Sequence, residues 1–300
     1  MNKKIIDETN VYMGIDTMQV QSECQSLLTN EDVPYINKSV TVNSNNGIYS
    51  YRLNPDKACV SPIYNNSDFE QAFLLMINEM GLKTPRLTRI DFRLDSFDDS
   101  TYMQLLKLNR LIIMMMSLDY KLKNRYFSED FLTLDELTIR SQNTRLELEN
   151  YNKAVEEPNG DVKSRFELRS KHLENLLIGE ENTEIVQNEW VKWVARLTNT
   201  ITKENFEEVQ NTANFYLVKR YVKDKRQGKK FNINEFLYRY GCNIFTRKQL
   251  VKFAESIGVK SPEQFASNYK KRKTIEFFSY KDLALYTRKI IAAGNAFFDE

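Results

Sequence analysis

Three short stretches of the chain alternate charged with apolar residues: Arg89-Ile-Asp-Phe-Arg-Leu-Asp95, Arg145-Leu-Glu-Leu-Glu149 and Arg165-Phe-Glu-Leu-Arg169. A strand sends successive side chains to opposite faces, so each stretch buries one apolar face and gathers its charges on the other. With the three strands side by side, an open face holds Asp91, Asp95, Glu147, Glu149 and Glu167 among Arg89, Arg93, Arg145, Arg165 and Arg169. Two or three such carboxylates can hold a divalent cation that polarises a phosphodiester oxygen, while the arginines neutralise phosphate charge. Tyr151 shares the alternating face of Arg145, Glu147 and Glu149 and is the candidate nucleophile for attack on phosphorus. The same pattern equally describes a sheet face laced with cross-strand ion pairs, each worth ~0.2–1 kcal/mol. Patterning alone leaves both readings open.

The residue inventory narrows the chemistry. A single histidine, His172, excludes a two-histidine metal site, and it reads as an ordinary helix-surface residue. Cys24, Cys59 and Cys242 are far apart and form no Cys-x-x-Cys pair, as expected of reduced thiols in a cytoplasmic protein and not of a zinc site. A divalent ion would therefore rely on oxygen ligands, which favours Mg²⁺ or Mn²⁺. The start Met1-Asn-Lys-Lys-Ile-Ile-Asp-Glu8 turns acidic before any apolar core, unlike a signal peptide. The most apolar run, Leu105 to Leu118, is too short for a membrane span and contains Lys107 and Arg110, so it reads as a buried helix.

The elements that must position these residues are legible in outline. Val11–Gln21, Tyr35–Asn43 and Ile48–Leu53 read as strands, the last two joined by the turn Asn43-Ser-Asn-Asn-Gly47. Ser67-Asp-Phe-Glu70 reads as a capping box opening a helix over 68–80 that stops at Gly81. The charged strand 86–97, an apolar helix 101–118, and strands 133–141, 144–151 and 163–170 follow. This order implies an α+β domain over residues 1–180, mainly antiparallel with helices on one face. From about Lys171 the pattern turns helical, giving an all-helical domain over 181–300 with helices expected at 184–197 and 204–226.

The formal charge of +2 conceals an asymmetry. Residues 215–300 carry 19 Lys or Arg against 8 Asp or Glu, a surplus of 11, whereas residues 1–214 carry 24 against 33, a deficit of 9. A basic terminal segment of this size is the electrostatic footprint of a polyanion binder. Within it, Thr246-Arg-Lys-Gln249 and Ser261-Pro-Glu-Gln264 are capping boxes flanking the turn at Gly258. The two helices they open have the size and punctuation of a helix-turn-helix, with Glu263, Gln264, Ser267 and Asn268 toward a groove and Lys270, Lys271, Arg272 and Lys273 on phosphates. A plain helical hairpin has the same signature. Phe265, Tyr269, Phe277, Phe278 and Tyr280 read as core.

The Arg-x-Asp-x-x-x-Asp spacing of Arg89 to Asp95 ahead of an apolar helix resembles a strand of the Rep_trans family, the replication initiation factors of Gram-positive plasmids and mobile elements. Arg145 to Lys153, a strand ending in Tyr-x-Lys, and the following Arg165-Phe-Glu-Leu-Arg169 are similar to later strands of that family. The resemblance covers residues 86–172 in detail and 1–170 in element order. It implies an initiator that recognises plasmid or phage origin DNA, in which a sheet-borne tyrosine can nick one strand with a carboxylate-bound divalent ion to begin rolling-circle synthesis. Carried over, it gives Asp91, Glu147, Glu167 and Asp95 as metal candidates. Tyr151 stands as nucleophile, and Arg89, Arg145, Lys153, Arg165 and Arg169 join Lys270 to Lys273 on DNA. One departure matters: the family's nucleophilic tyrosine lies in a segment that here reads Leu137-Thr138-Ile139-Arg140-Ser141, with Thr138 at its position.

The expected partners are thus origin DNA, a host helicase or polymerase and a second copy of the chain, with no membrane. The expected function is a replication initiator, either nicking or non-nicking. A non-catalytic DNA-binding initiator or repressor, and a conjugative relaxase, are the alternatives.

Overall fold

The protein is described by a computed structural model over residues 6–43, 47–59, 61–122, 138–177, 182–228, 233, 236–237, 246–271 and 278–299, leaving aside the side chains of 38–43, 138–139, 174–177, 182–183 and 270–271. The strands are β1 (Tyr12–Ser22), β2 (Ile36–Asn43), β3 (Ile48–Leu53), β4 (Arg86–Ser96), β5 (Thr138–Gln142), β6 (Leu146–Tyr151) and β7 (Ser164–Leu177). They form one sheet in the order β2-β3-β1-β4-β7-β6-β5, and each neighbouring pair is antiparallel. The helices are α1 (Asn66–Glu79), α2 (Tyr102–Asp119), α3 (Lys153–Glu156), α4 (Asn182–Thr200), α5 (Lys203–Arg226), α6 (Arg247–Ser256), α7 (Pro262–Lys271) and α8 (Tyr280–Asp299). The class is α+β, as the element order implies. No helix among the described residues is long and apolar enough to cross a membrane.

The alternation in the three charged stretches governs the sheet. Ile90, Phe92 and Leu94 of β4, Leu146 and Leu148 of β6, and Phe166 and Leu168 of β7 are buried in one hydrophobic core. Helices cover this face. The apolar helix α2 is the buried one its composition implies, with Leu105, Leu108, Leu111 and Ile112 inaccessible. Trp190 of α4 packs edge-on against Phe92 with ring centroids 5.5 Å apart, and Trp193 donates to Ser170 Oγ at 2.9 Å. Gly294 of α8 lies against Trp190 so closely that a β-carbon there would come within 2.0 Å of the indole. Only glycine permits that helix crossing.

Buried polar links also tie helices to sheet. Tyr286 of α8 donates to Asn109 Oδ1 of α2 at 2.8 Å, and Asn109 donates in turn to Asn150 Oδ1 of β6 at 2.9 Å. Each group has a partner, so the network holds register without leaving a polar atom stranded in the core. The segment after residue 180 thus supplies α4 and α8 to the helical layer over the sheet. Beyond it, α5 meets α6 through Gln249, which donates to Asn211 at 3.1 Å, and through the Tyr221–Phe253 ring contact at 6.1 Å.

Several sequence expectations need correction. Helix α1 is capped by Asn65, whose side chain accepts from the backbone N–H of Asp68 at 2.8 Å, and not by Ser67. The register of an N-cap, three residues before the bonded N–H, selects the asparagine. Strand β7 does not end near Ser170: after an irregularity it pairs again, Leu176 with Leu87 and Leu177 with Arg86. His172 consequently sits in a strand bulge with φ +62°, not on a helix. In the turn between β5 and β6, Asn143 Oδ1 accepts from the N–H groups of Arg145 and Leu146, both at 2.7 Å. The expected strand segment Thr133–Leu137 lies outside the described residues.

Candidate functional site

The three charged stretches come together as β4, β7 and β6, in that spatial order. Their register makes cross-strand rows: Asp91–Arg169–Glu147, Arg93–Glu167–Glu149 and Asp95–Arg165–Tyr151. Odd positions share one face, as alternation requires. That face is not open, however. Asp91, Arg93, Asp95, Glu147, Glu149 and Glu167 are all buried, Arg93 and Asp95 at 0% exposure.

Two features close it. At one end, residues 55–59 and 61–64 fold over Arg93. Its guanidinium is gripped by the Asp56 carboxylate, donates to Ile15 O at 3.2 Å and Ile63 O at 3.0 Å, and lies 5.1 Å from the Tyr64 ring centre. Gly14 makes this approach possible, since a β-carbon there would fall 2.6 Å from Ile63 O and 2.7 Å from the Arg93 guanidinium. Elsewhere the carboxylates are roofed by their own counter-ions. Arg89 holds Asp91 through two bonds of 2.7 Å, Arg140 reaches Glu149 at 2.7 Å, and Lys171 reaches Glu147 at 3.1 Å.

At the centre is Arg169. Its Nη1 lies between Glu147 and Glu149, 2.5 Å from each, and its Nε donates to Glu167 at 2.8 Å. Its Nη2 bonds Glu167 again and donates to the Tyr151 hydroxyl oxygen at 2.6 Å, and Asp91 stands 3.6 Å from Nε. One guanidinium therefore serves four carboxylates and a phenol. A planar fork of five donors is suited to this, and an ammonium is not.

Asp95 belongs to a second cluster. It accepts from Arg165 Nε at 2.7 Å and from the Tyr64 hydroxyl at 3.0 Å, and Arg93 Nε is 3.1 Å away. Arg165 also reaches Asp16 at 3.1 Å. Of the other predicted residues, Arg145 is exposed just ahead of β6, outside the pairing. Lys153 pairs with Glu156 and Glu157 and rests 5.4 Å from the Tyr151 ring centre. The side chains of Lys270 and Lys271, and all of Arg272 and Lys273, lie outside what is described.

The electrostatics follow from burial. Burial pushes the Glu167 carboxyl up to about 8, the charge of Asp16 adds to this, and Arg169 and Arg165 oppose it. Burial likewise raises Asp91 in spite of Arg89. For Glu147 burial is outweighed by Arg169, Lys171 and Arg140, which hold its carboxyl below the ordinary range. The Tyr151 phenol is raised by burial and by Glu167 and Glu149, with Arg169 opposing, so it is held protonated. A nucleophile would need the opposite shift.

Asp91, Glu147 and Glu167 thus do converge, but on a guanidinium. Among the described residues no group of three or more His, Cys, Asp or Glu side chains is arranged to hold a metal ion. With its oxygens engaged by Arg169, Arg89, Arg140 and Lys171, the donor set does not fit Mg²⁺ or Mn²⁺ in this arrangement. Sequence reasoning missed five members of the site. Arg140 and Lys171 carried a signal, as charged residues in or next to strand patterns, Asp16 was obscured by the irregularity beside it, and Asp56 and Tyr64, ahead of α1, carried none.

In the basic segment, α6 and α7 are joined by the turn at Gly258, with φ +79°. Thr246 caps α6, accepting from Gln249 N at 3.3 Å, as its capping box implies. Arg247 ties Glu263 at 2.6 Å and Ser267 at 3.3 Å, so two of the expected groove-facing residues are engaged within the helix pair. Tyr269 and Phe278 are buried.

No family model matches the sequence. No curated protein matches it either. Among solved structures, the chain is similar to a rolling circle replication initiator protein from Geobacillus stearothermophilus, at 12% identity and a TM-score of 0.29, over 60% of this chain and 78% of that one.

Proposed function

We propose that this chain is a DNA-binding replication initiator of a plasmid, phage or other mobile element, in its non-nicking form. The observation that carries the reading is the Arg169 hub. Strands with the Arg-x-Asp-x-x-x-Asp, Tyr-x-Lys and Arg-x-Glu-x-Arg motifs lie adjacent and in register. Where an initiator of the nicking type needs a divalent cation and an activated tyrosine, this face carries Arg169 and a Tyr151 phenol raised by burial. Such a buried lattice fixes the sheet and leaves DNA contact to cationic surfaces. The surplus of 11 positive charges in residues 215–300 supports that assignment.

The test is binding and cleavage with the full chain. Duplex DNA should be bound with affinity that falls steeply with salt, and neutralising Lys270 to Lys273 should weaken binding at every sequence. Incubation of single-stranded DNA with Mg²⁺ or Mn²⁺ should give no covalent adduct on a denaturing gel, and Tyr151→Phe should bind DNA as the wild type does. An adduct abolished by Tyr151→Phe or Tyr64→Phe would overturn the non-nicking form. Absence of DNA binding at low salt would overturn the reading as a whole.

A further inference from the structure

The charged face of the sheet continues past the Arg169 hub. Two residues before Asp91, Arg89 opens another cross-strand row: Arg52 of β3, Gln19 of β1, Arg89 of β4 and Lys171 of β7 are registered side by side. Alternation puts them on the hub's side of the sheet, since their neighbours Tyr51, Met18 and Ile90 are buried in the core. Neighbouring strands lie ~4.8 Å apart, so Arg52 and Arg89 flank Gln19 at ~10 Å from each other, within reach of one ligand above it.

The members of this row differ in what they hold. Arg89 gives Nε and Nη2 to Asp91, and Lys171 gives its ammonium to Glu147 and to Gln142 at 2.8 Å. Arg89 Nη1, the Gln19 amide and the whole Arg52 guanidinium have no hydrogen bond among the described residues, and Arg52 Nε is shut off from solvent as well. Burial, and then the charges of Arg89 and Arg169, hold the Arg52 guanidinium below the usual arginine range against the pull of Asp91 and Glu147. Arg86 and Arg145 are exposed at the row's flanks. The acids bonded to the row, Asp91 and Glu147, are buried beneath their cations. Along β1, Asp16 is tied to Arg165, and the exposed Glu23 lies four residues beyond Gln19, ~13 Å away. The accessible charge is therefore positive, from Arg52, Arg86, Arg89, Arg145 and Lys171 against two covered carboxylates.

We infer that this row is a binding site for a phosphate monoester or free phosphate, with Arg52 turning its guanidinium to the ligand above Gln19 and Arg89 Nη1 meeting it from the other side. Arg52 breaks no bond within the fold in doing so. An arginine with a structural part holds an acid or a carbonyl, as Arg89, Arg93, Arg165 and Arg169 do. The donors select the ligand: one free fork, the open edge of another and an amide offer more N–H groups than the two oxygens of a carboxylate can take. A terminal phosphate presents three acceptor oxygens and a charge near −2, which the unpaired Arg52, Arg86 and Arg145 can balance. The same chemistry belongs to the 5′-phosphate end of a nucleic-acid strand and to a small free phosphate, and the inference stands without the DNA-directed reading.

The experiment titrates the full chain with inorganic phosphate, malonate or chloride at equal ionic strength and reads the thermal midpoint. Phosphate also stabilises proteins by exclusion from their surface, so the signal is the difference between wild type and Arg52→Met, which keeps the stem and removes the fork. Wild type should gain more from phosphate than from malonate, and Arg52→Met should weaken phosphate binding about tenfold or more. Arg288→Gln, which removes an exposed charge on α8, should change it by less than about twofold. In chloride, Arg52→Met should be no less stable than wild type, as befits a group that holds nothing. Oligothymidylate with and without a 5′-phosphate separates the sources. A preference for the phosphorylated strand that Arg52→Met abolishes assigns the site to a strand end, and a phosphate response without that preference assigns it to a small phosphate. Phosphate acting no better than malonate, wild type and Arg52→Met responding alike, or a less stable Arg52→Met in chloride overturns the inference.

Discussion

Replacing Arg169 with methionine keeps most of the side-chain volume and deletes the charge that Glu147, Glu149 and Glu167 share. Arg169 has only 11% side-chain exposure, so solvent offers the orphaned carboxylates little relief. Removing one partner of a buried pair costs ~3–5 kcal/mol, and here several acids lose a counter-ion at once. The cost must depend on pH. Without Arg169 burial is opposed less at Glu147 and Glu167, whose folded-state pKa values rise, so the penalty is full above the raised values and fades as pH falls toward ~4, where both states are protonated. Wild type behaves oppositely at Glu147, whose folded carboxyl lies below the ordinary range, so stability it supplies at neutral pH is lost in acid. The stability gap between wild type and Arg169→Met should therefore be ~3–5 kcal/mol at pH 8 and shrink markedly by pH 5. Urea unfolding at pH 5, 6, 7 and 8 measures it. Arg169→Lys should fall between the two, since an ammonium cannot span the cluster. A gap below ~1 kcal/mol at pH 8, or one that does not change with pH, would show that the hub is an exposed-type ion pair and refute the argument.

Glu167 gives a second pH signature. Burial pushes its folded carboxyl up to about 8, from about 4.5 for an ordinary glutamate, so keeping it in the fold costs stability progressively as pH rises through that window and no further beyond it. Glu167→Gln should gain stability relative to wild type from pH 5 to 8 and then level off, and a flat difference in urea unfolding would contradict the assignment. Tyr286→Phe strands Asn109 Oδ1 beneath α8 and should cost ~1–3 kcal/mol in thermal or urea unfolding, with the far-ultraviolet circular dichroism unchanged. A neutral result would mean that Asn109 finds another donor.

Period-2 alternation made the sheet legible because three strands obey it without interruption from Arg89, Arg145 and Arg165 onward. Adjacency of β4, β7 and β6 follows from the same pattern, since three half-charged strands share one face most cheaply in one patch. What alternation cannot convey is which of two faces meets water. Burial of Arg93 depends on Asp56, Ile63 and Tyr64 arriving from elsewhere and on the missing β-carbon of Gly14 in β1. Neither is visible in the charged stretches. Asp16 was hidden by the irregularity between Ile15 and Thr17, which puts two consecutive polar residues where strict alternation allows one. The extension of β7 beyond Lys171 was hidden similarly, because the bulge at His172 breaks the period before Leu176 and Leu177 resume pairing.

Buried carboxylates packed at this density need a cation, and the physics does not care which kind. A divalent ion binds them through oxygen and leaves positions open for a substrate, whereas a guanidinium binds them through N–H groups and leaves none. Thr138 stands where the resemblance expects a tyrosine and is registered opposite Tyr151 on the β6 neighbour. Arg169 belongs to the Arg-x-Glu-x-Arg strand that the resemblance itself includes, and here its guanidinium satisfies the acids that a divalent ion would otherwise hold. Tyr151 then has a structural part: its hydroxyl accepts from Arg169 and its ring carries Lys153, holding the hub from the β6 side. That role explains why a phenol sits among carboxylates with its proton held on, which a nucleophile's environment would not do.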